Sequence, residues 1–336
     1  MIGMLISVLT VMVVMFVFTQ FEQHKKITTE VSQTIANNAL SVFPLQTYAK
    51  MAGYGFNDKS FYGCSVKSYN SNTAESLTYI LRPAHIEANF NGTTNDKVTL
   101  MLSSSNNFYS TLKIMNSMSS STDTILVNSR FGVRLGDVLL VSEPGKDCSL
   151  IQATTLPTDL GRTSEIIFTG STYNNNGVNT PATFNKTGAH NVLYSSSAEI
   201  ANFGRNGKRV SYSIEDGDFI ENNIFNGTDN KTTLGTNIVA FKVVYGLDTD
   251  RDGNVDSWTN ITPGNTDLDQ IIGLRYALIS RSSSPNGSVC NTTINPIFSW
   301  FGGDIDIRDS MDDNWGCYRY RMIQATAPLK NMIWTK

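Results

Sequence analysis

The residues best placed to do chemistry lie within one short run, Asp248-Thr-Asp250-Arg-Asp252-Gly253-Asn254-Val-Asp256. Carboxylates stand at loop positions one, three, five and nine, with a glycine at six and an apolar residue at eight. Ca²⁺ takes six to eight oxygens at about 2.3–2.6 Å, and this spacing wraps the chain around a single ion, with Asn254 giving its backbone carbonyl. Position twelve is Thr259, so the bidentate glutamate of an EF-hand is missing. Asp267 or Asp269 is then the candidate to close the shell. The competing reading is a solvated acidic turn between two strands. Four crowded carboxylates repel one another without an ion, which favours a structural Ca²⁺ at Asp248, Asp250, Asp252, Asn254 and Asp256.

Other chemistry is thin. The stretch Asp304, Asp306, Asp309, Asp312, Asp313 is loose, contains Arg308, and reads as a solvated face. The histidines His24, His85 and His190 are scattered, and no nucleophile elbow, H-E-x-x-H pair, P-loop or dinucleotide fingerprint occurs. The chain reads as a non-enzyme. Four cysteines, Cys64, Cys148, Cys290 and Cys317, form no C-x-x-C metal pair and suit disulfides in an oxidising compartment. They allow three connectivities, of which Cys290–Cys317 is the favoured pair.

The flanking runs Asn237–Tyr245 and Ile271–Ile279 are predicted strands that hold the aspartate loop. Further strands are predicted at Lys97–Leu102, Thr124–Val127, Asp137–Val141, Ser149–Ala153, Glu165–Phe168, Arg209–Ile214 and Tyr318–Ala327, all rich in β-branched or aromatic residues. Asn-Gly steps at 91–92, 176–177, 206–207, 226–227 and 286–287 mark tight turns. Sequons are abundant in so Asn-, Ser- and Thr-rich a chain and carry little weight.

The front of the chain is of different material. Residues 1–18 contain no charged side chain, and the first is Glu22. Eighteen helical residues span about 27 Å, close to the roughly 30 Å core of a bilayer. No basic n-region or small-residue cleavage site marks a signal peptide. An apolar stripe continues through Val17, Phe21, His24, Ile27, Val31, Ile35, Ala39, Val42, Leu45 and Ala49, so one amphipathic helix runs to about Met51. Pro44 is expected to kink or divide it, and Gly53 and Gly55 to stop it.

The whole comprises 336 residues with 26 Lys+Arg, 29 Asp+Glu and 33 Asn, a net charge of −3. Its 40% apolar content is ample for a core. The near-neutral balance excludes a phosphate-tracking nucleic-acid binder, which shows a basic stripe.

Several patches, in order, resemble the type IV pilin-like proteins, specifically PilW-like minor pilins and their J-type pseudopilin relatives. Met1-Ile-Gly-Met-Leu-Ile-Ser7 is similar to the stretch after F-T-L-I-E-L in prepilins, and Ala52-Gly-Tyr-Gly55 to the end of their first helix. Leu135–Ser142 with Cys148–Gln152, Val243–Gly253, and Tyr318–Arg321 with Ala327–Asn331 resemble later blocks. The leader, processing site and helix glutamate of that family are absent, which implies a sequence starting inside the mature protein by about six residues.

The resemblance implies an α+β fold: a long N-terminal pilin helix (1–53, with 1–19 hydrophobic) packed on a β-rich head (54–336). It implies a filament subunit held in the inner membrane before assembly, head in the periplasm, and then displayed on an extracellular filament. Its partners are copies of itself or other pilins, the membrane and the assembly platform. Gly3, Leu5, Ser7, Leu9, Val13, Phe16 and Phe18 represent the filament-core helix, where small residues let backbones approach. A minor pseudopilin of type II secretion and an anchored, Ca²⁺-dependent adhesin or glycan-binding head remain as alternatives.

Overall fold

In a computed structural model, residues 2–56, 61–70, 75–105, 111–120, 124–185, 192–285, 290–310 and 314–334 are described, with part of the side chains within 2–37. The fold is mostly β. Three larger sheets carry it, and every strand pair but one is antiparallel.

The first sheet has the order Glu75–Ile80, Ser65–Asn70, Cys148–Gln152, Val138–Ser142, Glu199–Gly204, Leu112–Lys113. The second runs Lys231–Gly235, Asp218–Asn223, Lys208–Glu215, Lys97–Leu102, Ala84–Glu87. The third runs Ser257–Thr259, Ile238–Leu247, Ile271–Arg281, Tyr320–Pro328. Its two long central strands are buried on both faces, as their near-continuous apolar runs require. A core of Phe56, Phe203, Phe219, Phe241, Tyr245, Tyr276 and aliphatic neighbours joins all three sheets.

Ahead of them stands α1, Ile2–Met51. Among its described side chains, only those of the last part pack on the sheets. Asn38, Ser41, Val42, Leu45 and Ala49 are buried, a three- and four-residue spacing that presents one face. Ser41 Oγ donates to the Leu234 carbonyl at 3.0 Å, and a Cβ on Gly235 would lie 2.0 Å from that oxygen, so glycine is needed where helix meets strand. Ala39, expected on the stripe, is exposed, while His24, Ile27, Val31 and Ile35 fall outside the described side chains.

The helix continues as one element through Pro44. The missing donor costs little there, because Leu40 is exposed and its carbonyl has access to water. Past Met51, Gly53 takes a φ of 78° and donates to the Met101 carbonyl at 3.0 Å, while Asn331 of α2 (Lys330–Trp334) donates to the Met51 carbonyl at 3.1 Å. The final carbonyls of α1 are thus partly satisfied by the chain's other end.

Two expectations are overturned. The α+β reading, with a long pilin-type helix, hydrophobic in its first half and packed on the head, gives way to a mostly β fold in which the buried side chains among those described in α1 all lie in its last turns. Among the described residues no helix is long and apolar enough to cross a membrane. The single-pass inner-membrane location, with a periplasmic head later carried to the cell surface, loses its support on the same ground.

Candidate functional site

The aspartate loop links Ile238–Leu247 to Ser257–Thr259 at the end of the third sheet. Its neck is clamped by backbone: Asp256 N–H donates to the Leu247 carbonyl at 2.8 Å, and Asp248 N–H to the Gln270 carbonyl at 2.9 Å. Between them the chain folds back through Arg251 at φ 62° and Gly253 at φ 96°, the turn for which glycine suits position six.

Asp248 is the buried member, 1% exposed. One of its oxygens accepts from Asp252 N–H at 2.9 Å and the other from Gly253 N–H at 2.8 Å. Asp256 accepts from the amide and hydroxyl of Thr249, both at 2.7 Å. Those donors, the hydroxyl first, hold its carboxyl below the usual range and keep it ionised. Asp248, Asp250 and Asp256 place one oxygen each within 4.8 Å of one another.

One of the four predicted carboxylates does not join that group. Asp252 turns its carboxylate to Asn254, accepting from its amide N–H at 2.7 Å and its side chain at 2.9 Å. The closing residues expected downstream are also engaged elsewhere. Asp269 pairs with Arg251 at 3.1 Å, and Asp267 accepts from the Gln270 side chain at 3.3 Å. Thr249, which positions Asp256, was not marked by the loop spacing, because position two of such a loop normally has no assigned ligand. The donor set that remains is all hard oxygen, which suits Ca²⁺ or Mg²⁺ over a thiophilic metal.

The looser acidic stretch resolves into local pairs: Arg308 forks onto Asp306 at 2.5 Å, and Ser299 donates to Asp304 at 2.6 Å. Asp312 and Asp313 and the Asp309 side chain lie outside the described residues, as do His190 and the His24 side chain. His85 lies on a strand, partly buried, and its Nδ1 accepts from Arg82 Nη1 at 3.0 Å.

The cysteines form Cys64–Cys148 and Cys290–Cys317. Of the predicted filament-helix residues, Gly3, Ser7, Leu9, Val13, Phe16 and Phe18 are exposed, and the Leu5 side chain lies outside the described set. The hydroxyls of Ser7 and Thr10 donate to the carbonyls of Met4 at 2.9 Å and Ile6 at 2.8 Å.

Residues 216–331 match the family described as type IV pilus-assembly protein W. That region holds the aspartate loop, the third sheet and the start of α2. Over that third of the chain the match supports a relation to type IV pilus assembly; it does not reach the N-terminal blocks or bear on the J-type relationship. Neither a curated protein nor a solved structure matches the chain.

Proposed function

We propose that the chain is a PilW-like structural subunit of a type IV pilus-like filament, in which the first half of α1 packs against the corresponding helices of other copies or other pilins. The observation that carries this reading is the contrast along α1. Its last turns are fixed in the head, while Met4, Leu9, Val13, Phe16, Phe18 and Phe21 are each about 60% exposed or more. Burial of such side chains is worth about 1.5–3 kcal/mol each, so a bundle of like helices supplies a large driving force. Ser7 and Thr10 enter such a bundle without loss, since their hydroxyls are already bonded within the helix. The role is structural and involves no catalytic step.

The test is recovery of the chain with sheared filaments from producing cells. Wild type should co-sediment with them, and Val13→Glu should be lost from that fraction while the head's thermal midpoint stays unchanged. Equal recovery of the variant would defeat the packing role of α1.

Within the same reading, Asp248, Asp250 and Asp256 hold a structural Ca²⁺ that ties the loop to the third sheet. Bound metal would neutralise the gathered carboxylates and lock the turn. At a hundredfold excess over Kd, ligand linkage gives about 2.7 kcal/mol. The thermal midpoint should therefore rise in Ca²⁺ and return in EGTA, and Asp248→Asn should abolish the response. A midpoint indifferent to EGTA in the wild type contradicts the ion.

A further inference from the structure

The outer face of the second sheet carries a cavity that the filament role does not use. Strand alternation sends Ala84, Ile86, Val98, Leu100, Val210 and Tyr212 into the core, which leaves His85, Glu87, Thr99 and Arg209 on the opposite face. Register brings them together, with His85 opposite Thr99 and Arg209 opposite Met101 beside it. The edge strand Glu75–Ile80 lies over this face, and the Arg209 guanidinium sits 4.1 Å from the centre of the Tyr79 ring. The result is a cavity of about 310 Å³ lined by Tyr79, Arg82, His85, Glu87, Thr99 and Arg209, with two aliphatic neighbours.

Its electrostatics are unbalanced. Two guanidiniums line it, and among the described residues neither has a carboxylate within ion-pair distance. Arg82 donates only to neutral acceptors, His85 Nδ1 at 3.0 Å and the Asn265 side-chain oxygen at 3.4 Å. Glu87 is engaged by Lys97 at 3.1 Å. Because an arginine can only donate, His85 Nδ1 must accept, which places the proton of the neutral ring on Nε2. Burial pushes the histidine's pKa down and holds the ring neutral, and the neighbouring arginines add to that.

Two buried donors have no acceptor: the Tyr79 hydroxyl and Arg82 Nε. Burial pushes the Tyr79 phenol up, so it stays a donor. Buried donors are rarely left unpaired in folded proteins, and here both border one space together with two guanidiniums and a single carboxylate, Glu87, which is shared with Lys97.

We propose that this cavity is a binding site for a small oxyanion, held by the guanidiniums of Arg82 and Arg209 with the Tyr79 hydroxyl as a further donor. A carboxylate, phosphate or sulfate supplies acceptors only, matches the planar fork of arginine, and relieves the repulsion between the two guanidiniums. At about 310 Å³ the cavity has room for such an ion together with several waters.

The test is titration calorimetry of the full chain with sodium phosphate, sulfate and acetate at constant ionic strength, with sodium chloride as control. At least one oxyanion should give a saturable one-site isotherm that chloride does not. Its Kd should weaken at least tenfold in Arg209→Gln and in Arg82→Gln. Arg209→Lys, which keeps the charge and loses the fork, should fall between. Arg82 lies in the link between Glu75–Ile80 and Ala84–Glu87, so its variant serves if Arg209→Gln does not fold. Absence of saturable heat from all three oxyanions, or an unchanged Kd in Arg82→Gln, overturns the site. Comparison of the three isotherms identifies which oxyanion class fits.

Discussion

Replacing Cys64 and Cys148 together by serine should lower the stability of the chain by about 4–5 kcal/mol, the largest effect expected of any paired substitution. The two cysteines are 84 residues apart, and loop-closure entropy for a loop of that length accounts for about 4–5 kcal/mol. The position of the bridge adds a local reason. The hairpin Ser65–Asn70 with Glu75–Ile80 joins the first sheet through a parallel ladder only two residues long, Val66 opposite Cys148 and Lys67 opposite Ser149. So short a ladder holds poorly alone, and the disulfide stands at its start. Cys290–Cys317 closes 27 residues, for which the same relation gives about 3.5 kcal/mol. Urea unfolding of the two double-serine variants should order them in this way, with loss of amide protection at Val66 in the first alone. A loss under about 1 kcal/mol for the Cys64/Cys148 variant would show that the hairpin is held by packing.

Asp96→Ala should cost about 3 kcal/mol through a different mechanism. Ile238–Leu247 has a partner along its whole length on one side, but on the other it pairs only from Tyr245 onward. Asn95 and Asp96 finish that open edge from the second sheet. The Asn95 side chain accepts from Phe241 N–H at 3.0 Å, Asp96 N–H donates to the Phe241 carbonyl at 2.9 Å, and the Asp96 carboxylate accepts from Val243 N–H at 2.9 Å. The same carboxylate, 3% exposed, accepts from Asn89 N–H and the Lys242 ammonium, both at 3.2 Å. Alanine leaves the Val243 donor buried without a partner and the lysine with only the Asn89 side-chain oxygen, at 3.3 Å, in place of its carboxylate, for which about 3 kcal/mol is the expected order. Asp96→Asn keeps the shape and part of the acceptor capacity, so it should lose less. Equal midpoints for wild type and Asp96→Ala in urea would contradict the clip.

What could be read from the chain followed locality. The nine predicted strands all overlap observed ones, since each run is apolar enough to stand out. Missed strands such as Asp218–Asn223 and Lys231–Gly235 are largely polar and are held by their neighbours' ladders. The turn at Asn176-Gly177 was visible and joins two strands with both residues at positive φ. Asp216-Gly217 does the same work with an aspartate in the first position, outside the Asn-Gly pattern.

The aspartate loop was legible since its carboxylates lie within nine residues, though the rotation of Asp252 toward Asn254 was not. Cys64–Cys148 and the Arg82–Arg209 cavity were invisible for the opposite reason: their members come from distant segments and meet only through sheet register. The apolar run at the front was plain in the sequence, but it could not reveal that, among the described side chains of α1, the buried ones start at Asn38.

If α1 joins the chain to a filament, the chain travels with the filaments it builds. Sheared, purified filaments from cells expressing wild type or Val13→Glu, with the chain quantified against the main subunit by mass spectrometry, measure this directly. Wild type should be present at a reproducible ratio and the variant at least tenfold lower; wild type absent from the filaments, or both proteins present in equal ratio, would rule out a filament role for α1.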